Sequence, residues 1–183
     1  MLLFAHTGIT LGAATLFADA VNRKPSWFAS LSRYLDIRWL LVGSLLPDII
    51  DKPVGQYIFR DAFNNGRIFS HTLLFFIVIS TVGIFLYKKQ RRTWLLALAA
   101  GTFTHLLLDE IWQTPVTLFW PLLGFSFPRE ELAGWASDIW SALFSEPRVY
   151  IPEIVGLVIL LVLGIYLIKR RGLGAFLKNG KVS

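Results

Sequence analysis

Five apolar segments alternate with short polar connections along this chain. They cover Leu2–Val21, Ile37–Asp51, Ser70–Tyr87, Thr93–Trp112 and Tyr150–Ile168. A helix needs about 20 apolar residues to cross the hydrocarbon core of a bilayer. We therefore predict an all-α fold, an integral membrane bundle of about five transmembrane helices. The second segment is too short for a full crossing, and we expect Pro47 to bend it and Pro53 to end it.

Composition supports this prediction and excludes some chemistry. The chain of 183 residues is 55% hydrophobic and only 16% charged, whereas soluble domains carry about 25% charged residues. We expect one membrane domain over residues 1–183. Because there are no cysteines, a disulfide, a thiolate metal site and a cysteine nucleophile are all excluded.

Basic residues predict the orientation of the bundle. If the five helices alternate, 13 of the 18 basic residues lie in three connections on one side of the membrane, and Lys52, Arg60, Arg67, Arg129 and Arg148 lie on the other. Positive charge marks the cytoplasmic side. We therefore expect a multi-pass protein of the cytoplasmic (inner) membrane, with the N-terminus outside and the C-terminus inside. This orientation accounts for the net charge of +6, so we do not expect the protein to bind nucleic acid directly. Membrane lipids are the expected partners.

The long connection at residues 113–148 is aromatic and is predicted on the outer side. Two structures fit it. One is an ordered aromatic loop. The other is an interfacial helix over residues 129–144 that places its apolar side chains on one face, namely Leu132, Trp135, Ile139, Leu143 and Phe144.

All three histidines and several acids fall at similar depth. At about 1.5 Å of rise per helical residue, they lie about 15 to 26 Å above the cytoplasmic basic cluster of their own segment. The hydrocarbon core is about 30 Å thick, so these groups share the outer half of the membrane. The set comprises His6, Asp48, Asp51, His71, His105, Asp109 and Glu153.

Ionisable groups at that depth cost about 2.5–3.5 kcal/mol each to insert, and a divalent cation would satisfy several of them together. His105 and Asp109 are four residues apart on one helix face, which suits two ligands of one metal. Asp48 and Asp51 also share a face. The alternatives are structural: a His–Asp hydrogen bond, a wetted acid pair with Lys52 as counter-ion, interfacial histidines at His6 and His71, and a favourable helix dipole at Glu153. The common depth of the set favours the metal.

Two arginines on the outer connection, Arg60 and Arg67, could hold a phosphate through forked hydrogen bonds. A surface arginine at a lipid headgroup is the competing interpretation.

Three short motifs follow one another in a familiar order. They are Gly43–Pro53, Gly66–Leu74 and Thr104–Asp109, the last followed by Thr114, Pro115 and Pro121. In content and order they resemble the membrane-bound metal-dependent hydrolase family, described as YdjM-like, over about residues 1–125. That family is distantly similar to the zinc-dependent phospholipase C and nuclease superfamily.

The resemblance implies a helical enzyme with one or two divalent ions, zinc being the expected metal. It also implies ligand roles for His6, Asp48 or Asp51, His71, His105 and Asp109. One departure is visible, because Gly66 stands before Arg67 where many family members carry a histidine.

The functional prediction is a membrane-embedded metallohydrolase that cleaves a phosphoester of a lipid or headgroup at the outer leaflet. Asp48 or Asp51 would act as the general base. The alternative is a non-enzymatic membrane protein, either a cation or proton carrier or a bundle with a structural metal. Carriers usually show internal repeats and helices broken around a midplane site, and the sequence shows neither feature.

Overall fold

The computed structural model describes residues 2–23, 27–129 and 135–182, with side chains from residue 140 onward in the last range. Those residues form helices and connections without a β-strand. A π-helical turn (Ala5–Ile9) runs into α1 (Thr10–Asn22), and a second π-helical turn (Pro53–Ile58) follows α4. The remaining helices are α2 (Phe28–Tyr34), α3 (Ile37–Gly43), α4 (Leu46–Lys52), α5 (Leu73–Gln90), α6 (Trp94–Leu108), α7 (Pro115–Leu118), α8 (Trp135–Ser145), α9 (Pro147–Lys169) and α10 (Leu173–Asn179).

Each of the five predicted apolar segments contains helix, so the all-α prediction is confirmed. Two helices, α5 with 18 residues and α9 with 23, are long and apolar enough to cross a membrane by length and composition. The apolar helix α6 is shorter, at 15 residues. Buried helices of soluble proteins also meet this test, so the five-helix crossing and its orientation stay predictions.

Glycines allow two helix pairs to approach closely. Gly43 and Gly101 face each other between α3 and α6, and a Cβ at Gly101 would lie 2.3 Å from a backbone carbonyl oxygen of α3. Gly8 and Gly156 do the same between the first π-helical turn and α9, where a Cβ at Gly156 would lie 1.9 Å from a backbone oxygen. Small residues at such crossings are typical of helix packing in membranes.

The second predicted segment breaks between α3 and α4, as its proline led us to expect. Pro47 has no N–H to donate to the carbonyl of Gly43, four residues earlier. That carbonyl accepts instead from the Thr102 hydroxyl of α6, at 3.3 Å. The break therefore presents backbone carbonyls to α6, and the next one, of Ser44, becomes part of the site described below.

A cluster of buried apolar side chains joins α1, α2, α3 and α9 at one end of the bundle, which we call the apolar end. Here α10 returns against the start of α3, where the Ile37 amide donates to the Gly180 carbonyl at 3.3 Å. The cluster comprises Leu11, Ala18, Phe28, Leu31, Ile37, Leu40, Leu163, Leu167 and Val182.

Residues 113–148 contain both an ordered loop and a helix, and their position at the outer interface stays a prediction. After α7 the chain forms an ordered aromatic loop, in which the rings of Trp120 and Phe127 lie 5.3 Å from the ring of Phe69 between centroids. Helix α8 then covers much of the predicted helix. Leu132 of its predicted apolar face lies outside the described residues, as do the side chains of Trp135 and Ile139.

Candidate metal centre

Four side chains bring one ligand atom each to a single point at the end of the bundle opposite the apolar end. Asp48 comes from the first turn of α4, His71 from the residues before α5, and His105 and Asp109 from the end of α6. Their four ligand atoms all lie within 4.8 Å of one another. We call this set the four-ligand cluster. It unites three of the motifs that the sequence predicted to meet.

The distances within the four-ligand cluster suit a tetrahedral ion. The Nε2 atoms of His71 and His105 are 3.1 Å apart, and Asp48 Oδ1 lies 3.7 and 3.9 Å from them. Asp109 Oδ2 lies 3.9 Å from His71 Nε2. Ligand bonds of about 2.0–2.1 Å in tetrahedral geometry place neighbouring ligand atoms about 3.4 Å apart. The cluster therefore encloses a space that fits one such ion.

Hydrogen bonds fix the tautomer of both imidazoles. The Nδ1 of His71 lies 2.7 Å from Asp51 Oδ2, and that of His105 lies 2.7 Å from the Ser44 carbonyl oxygen. Both oxygens only accept, so each Nδ1 carries the proton and donates. In neutral rings the two Nε2 lone pairs then face each other at 3.1 Å, which is repulsive unless a cation lies beside them. Such donation from the second ring nitrogen is typical of metal-bound histidine.

Asp51 stands behind His71. Its side chain is fully buried, and its oxygens accept from the amides of Ile68 (2.8 Å), Ser70 (3.0 Å) and His71 (3.1 Å). These bonds fold the chain before α5 around the carboxylate and turn the imidazole towards the cluster. The predicted pair of acids therefore divides: Asp48 faces the cluster, and Asp51 orients one of its histidines.

His6 also joins this end of the bundle. Its ring stacks on that of His105, with centroids 4.2 Å apart. Its Nε2 lies 3.0 Å from Asp109 Oδ1, and its Nδ1 lies 2.7 Å from the Leu2 carbonyl. A neutral ring has one N–H for these two oxygens. The geometry therefore suits either an imidazolium that donates twice or a second cation shared by His6 and Asp109.

Glu153 holds the N-terminal segment and does not belong to the four-ligand cluster. Its carboxylate accepts from the amides of Leu2 (2.6 Å), Phe4 (3.0 Å) and Ala5 (3.2 Å). The first amides of a helix lack partners within the helix, and a carboxylate there is favourable. The contact fixes the turn that carries His6.

Basic side chains contact both ligand carboxylates, at the outer oxygen of Asp48 and at the cluster-facing oxygen of Asp109. Lys52 Nζ donates to Asp48 Oδ2 at 2.6 Å, and Arg67 Nε donates to Asp109 Oδ2 at 2.9 Å. Arg67 also lines a cleft of about 570 Å³ beside Asp109. Arg60 lies on an exposed turn after the second π-helical turn and does not line that cleft. Of the two predicted arginines, the structure brings only Arg67 to the cluster.

Sequence reasoning missed the role of Ser44. A backbone carbonyl leaves no mark in the sequence, and the only signal is Pro47, three residues later, which disrupts the helical bond pattern. The Lys52 contact was predictable from its spacing of four residues from Asp48.

Comparison with known proteins places this chain in a membrane protein family. A family model described as YdjM inner membrane protein matches residues 1–173. The chain belongs to the YdjM family. The match extends through α9, well beyond the motifs of the first two thirds of the chain. Neither curated proteins nor solved structures gave a match. The family identifies the chain as an inner membrane protein, and α5 and α9 are the described helices long and apolar enough to cross that membrane.

Proposed function

We propose that this protein is a membrane-embedded, metal-dependent hydrolase that cleaves a phosphoester, carried by a lipid or headgroup at the outer leaflet. The observation that carries the proposal is the pair of imidazole Nε2 atoms 3.1 Å apart. In each ring the proton sits on Nδ1, which donates a hydrogen bond, so the neutral ring leaves Nε2 free to bind a metal. Two carboxylates complete a set of nitrogen and oxygen ligands of the kind that zinc binds, and a catalytic ion would keep three of the four and leave one position for water. Zinc is therefore the expected ion.

The chain supplies a ligand shell and partners that orient it. His71, His105 and Asp109 would hold one ion with Asp48 beside it, and His6 with Oδ1 of Asp109 can hold another. When bound, a divalent ion polarises a phosphoryl oxygen and brings the pKa of a water molecule towards neutrality. Asp51 and the Ser44 carbonyl keep the two imidazoles aimed at the ion.

Asp48, left out of the metal shell, is the better candidate for the general base, with His71, His105 and Asp109 as the three protein ligands. A base must reach the water from which it takes a proton. Asp48 retains 18% side-chain exposure, whereas Asp51 has none. The ammonium of Lys52 holds the outer oxygen of Asp48 and leaves the inner oxygen directed at the cluster. We assign Asp51 a positioning role through His71.

The setting supports a lipid substrate. The protein belongs to an inner membrane family, and the predicted orientation places the four-ligand cluster in the outer leaflet, where headgroup phosphates lie. Arg67 already lies on Asp109 and at the edge of the cleft. Its remaining guanidinium N–H groups are suited to a phosphate oxygen.

Metal content and turnover test the proposal together. Purified protein should contain zinc, and His105→Ala and Asp109→Asn should lose it, because each variant removes one ligand of the set. Asp61→Asn is the matched control, since Asp61 is an exposed acid outside the four-ligand cluster. Hydrolysis of a short-chain phospholipid in detergent should require zinc and fail in both ligand variants. Full zinc content in His105→Ala would refute the site, and bound zinc without turnover would favour the structural-metal alternative.

A further inference from the structure

A polar cleft of about 570 Å³ opens directly beside the four-ligand cluster. It shares Asp109 with that cluster, and Arg67, which contacts Asp109, also lines it. Its other polar lining comes from Glu110, Gln113 and Thr114 after α6, and from Arg148 at the start of α9. A cleft that is continuous with a ligand carboxylate is the space through which a substrate could reach the ion.

Arg148 stands out among these residues. It is an exposed residue in the first turn of α9, far in sequence from the motifs, and the fold brings it to the wall of the cleft. Among the described side chains, the structure contains no ion pair between Arg148 and an acid. Its five N–H donors are therefore available for an anion from outside the chain.

Charge in the cleft changes when an ion is bound. Asp109 now neutralises Arg67 through the 2.9 Å bond from Arg67 Nε to Oδ2, the oxygen that faces the cluster. A divalent ion would balance the charges of Asp48 and Asp109, so that Arg67 would no longer face an uncompensated carboxylate. The cleft would then present two guanidinium groups against Glu110, whose carboxylate already accepts from Gln113 Nε2 at 2.5 Å. The loaded cleft is suited to an anion.

We propose that this cleft binds the phosphate of the substrate and that Arg148 is a specificity-determining residue, which grips with Arg67 the phosphate oxygens turned away from the ion. The inference rests on the proposed function and adds a residue that none of the motifs contains. The ligand class is a phosphate monoester or diester, either free or as a lipid headgroup. Forked donation by two arginines is a favourable geometry for such an anion.

The experiment compares three variants of the full-length protein, loaded with zinc in detergent. Arg148→Ala removes the guanidinium, and Arg148→Lys keeps the charge without the fork. Arg129→Ala is the matched control, because Arg129 donates to the Asp61 carbonyl and does not line the cleft. Zinc content is measured for each protein. Calorimetric titrations then use inorganic phosphate and, separately, dihexanoyl phosphatidylglycerol.

We expect Arg148→Ala to weaken phosphate binding by roughly 10- to 100-fold, since a hydrogen bond to a charged group contributes about 1.5–3 kcal/mol. Arg148→Lys should lose less, and Arg129→Ala should bind like the wild type. Zinc content should stay constant throughout. If Arg148→Ala weakens binding of the short-chain lipid as much as binding of inorganic phosphate, the ligand is a lipid headgroup. If it weakens binding of inorganic phosphate alone, the ligand is free phosphate.

Other outcomes separate this inference from the proposed hydrolase. Unchanged phosphate affinity in Arg148→Ala overturns the inference, and so does an equal loss in Arg129→Ala, which would indicate diffuse attraction. Phospholipid turnover that survives Arg148→Ala at wild-type substrate affinity also overturns it, while the hydrolase stands. Phosphate binding that depends on Arg148 in a protein without turnover supports the anion site and counts against hydrolysis.

Discussion

The two ends of the bundle are built from the same helices but bury opposite chemistry. At the apolar end, α1, α3 and α9 bury aliphatic and aromatic side chains such as Leu11, Ile37 and Leu163. At the other end, which we call the site end, the continuations of α1 and α9 bury His6 and Glu153 with almost no exposure, and α6 adds the buried His105. Burial of polar and ionisable groups is unfavourable unless they are paired, so the site end is costly and the apolar end is not.

The difference indicates where stability and function reside. At the site end the buried side chains of His6, Asp51, His71, His105 and Glu153 each contact another polar group, and two imidazoles are oriented towards a space that an ion fits. The helices there are also irregular, with π-helical turns at Ala5–Ile9 and Pro53–Ile58, and such turns are frequent at functional sites. We expect substitutions at the apolar end to change stability alone and substitutions at the site end to change metal binding.

The largest expected change in stability comes from a substitution at Gly156 of α9. Gly156→Val places side-chain carbons where the backbone of the N-terminal segment lies, so it should destabilise the protein by about 3 kcal/mol and lower zinc content by displacing His6. Gly164→Val is the matched control on the same helix, because nothing lies within 4 Å of a Cβ there. Thermal unfolding in detergent with parallel zinc analysis measures both. Equal stability of the two variants would contradict the close packing at Gly156.

Leu163→Ala tests the apolar end. The side chain is buried in the apolar cluster, and its truncation should cost about 2 kcal/mol. This value is at the low end for a buried leucine because lipid tails also solvate apolar groups in the unfolded reference state. Zinc content should remain that of the wild type. If Leu163→Ala lost zinc without a change in stability, the assignment of stability to the apolar end and of metal binding to the site end would be wrong.

Asp51→Asn should have the smallest effect on folding and a specific effect on the ion. The amide oxygen in place of Oδ2 can still accept from His71 Nδ1 and from the Ser70 amide at 3.1 Å. The NH₂ group in place of Oδ1 cannot accept, so only the other half of the shared Ser70 bond is lost. The neutral amide makes His71 a weaker ligand, so zinc affinity should fall about 10-fold. Competition with a chromogenic chelator measures it. Complete loss of zinc would instead support the direct ligand role predicted from the sequence.

Much of the fold was predictable because apolar periodicity and length report helices directly. The boundaries of α5, α6 and α9 lie within a few residues of the predicted segments, and Pro47 marked the break before α4. The approach of α3 to α6 was less accessible. It depends on Gly43 and Gly101 facing each other, and a single sequence does not show which of its 14 glycines lie at helix crossings.

The sequence predicted which residues belong to the candidate site, but it did not predict which of them contact one another. Depth along each helix brought His71, His105 and Asp109 to one layer, and the structure places them together. Rotation of each helix about its axis is not encoded by depth. For that reason the sequence could not separate Asp48 from Asp51, could not assign Glu153 to the N-terminal amides, and gave Arg148 no role.

The contact between Glu153 and the amide of Leu2 has a practical consequence for every measurement of bound ion. An affinity tag fused before Leu2 would leave the chain beside the four-ligand cluster, and a polyhistidine tag there would offer competing imidazoles to the same ion. A tag that follows Val182, which is buried at the apolar end, begins at the opposite pole of the molecule. Purification from the C-terminus, with the tag removed before zinc is counted, keeps the measured stoichiometry a property of the protein.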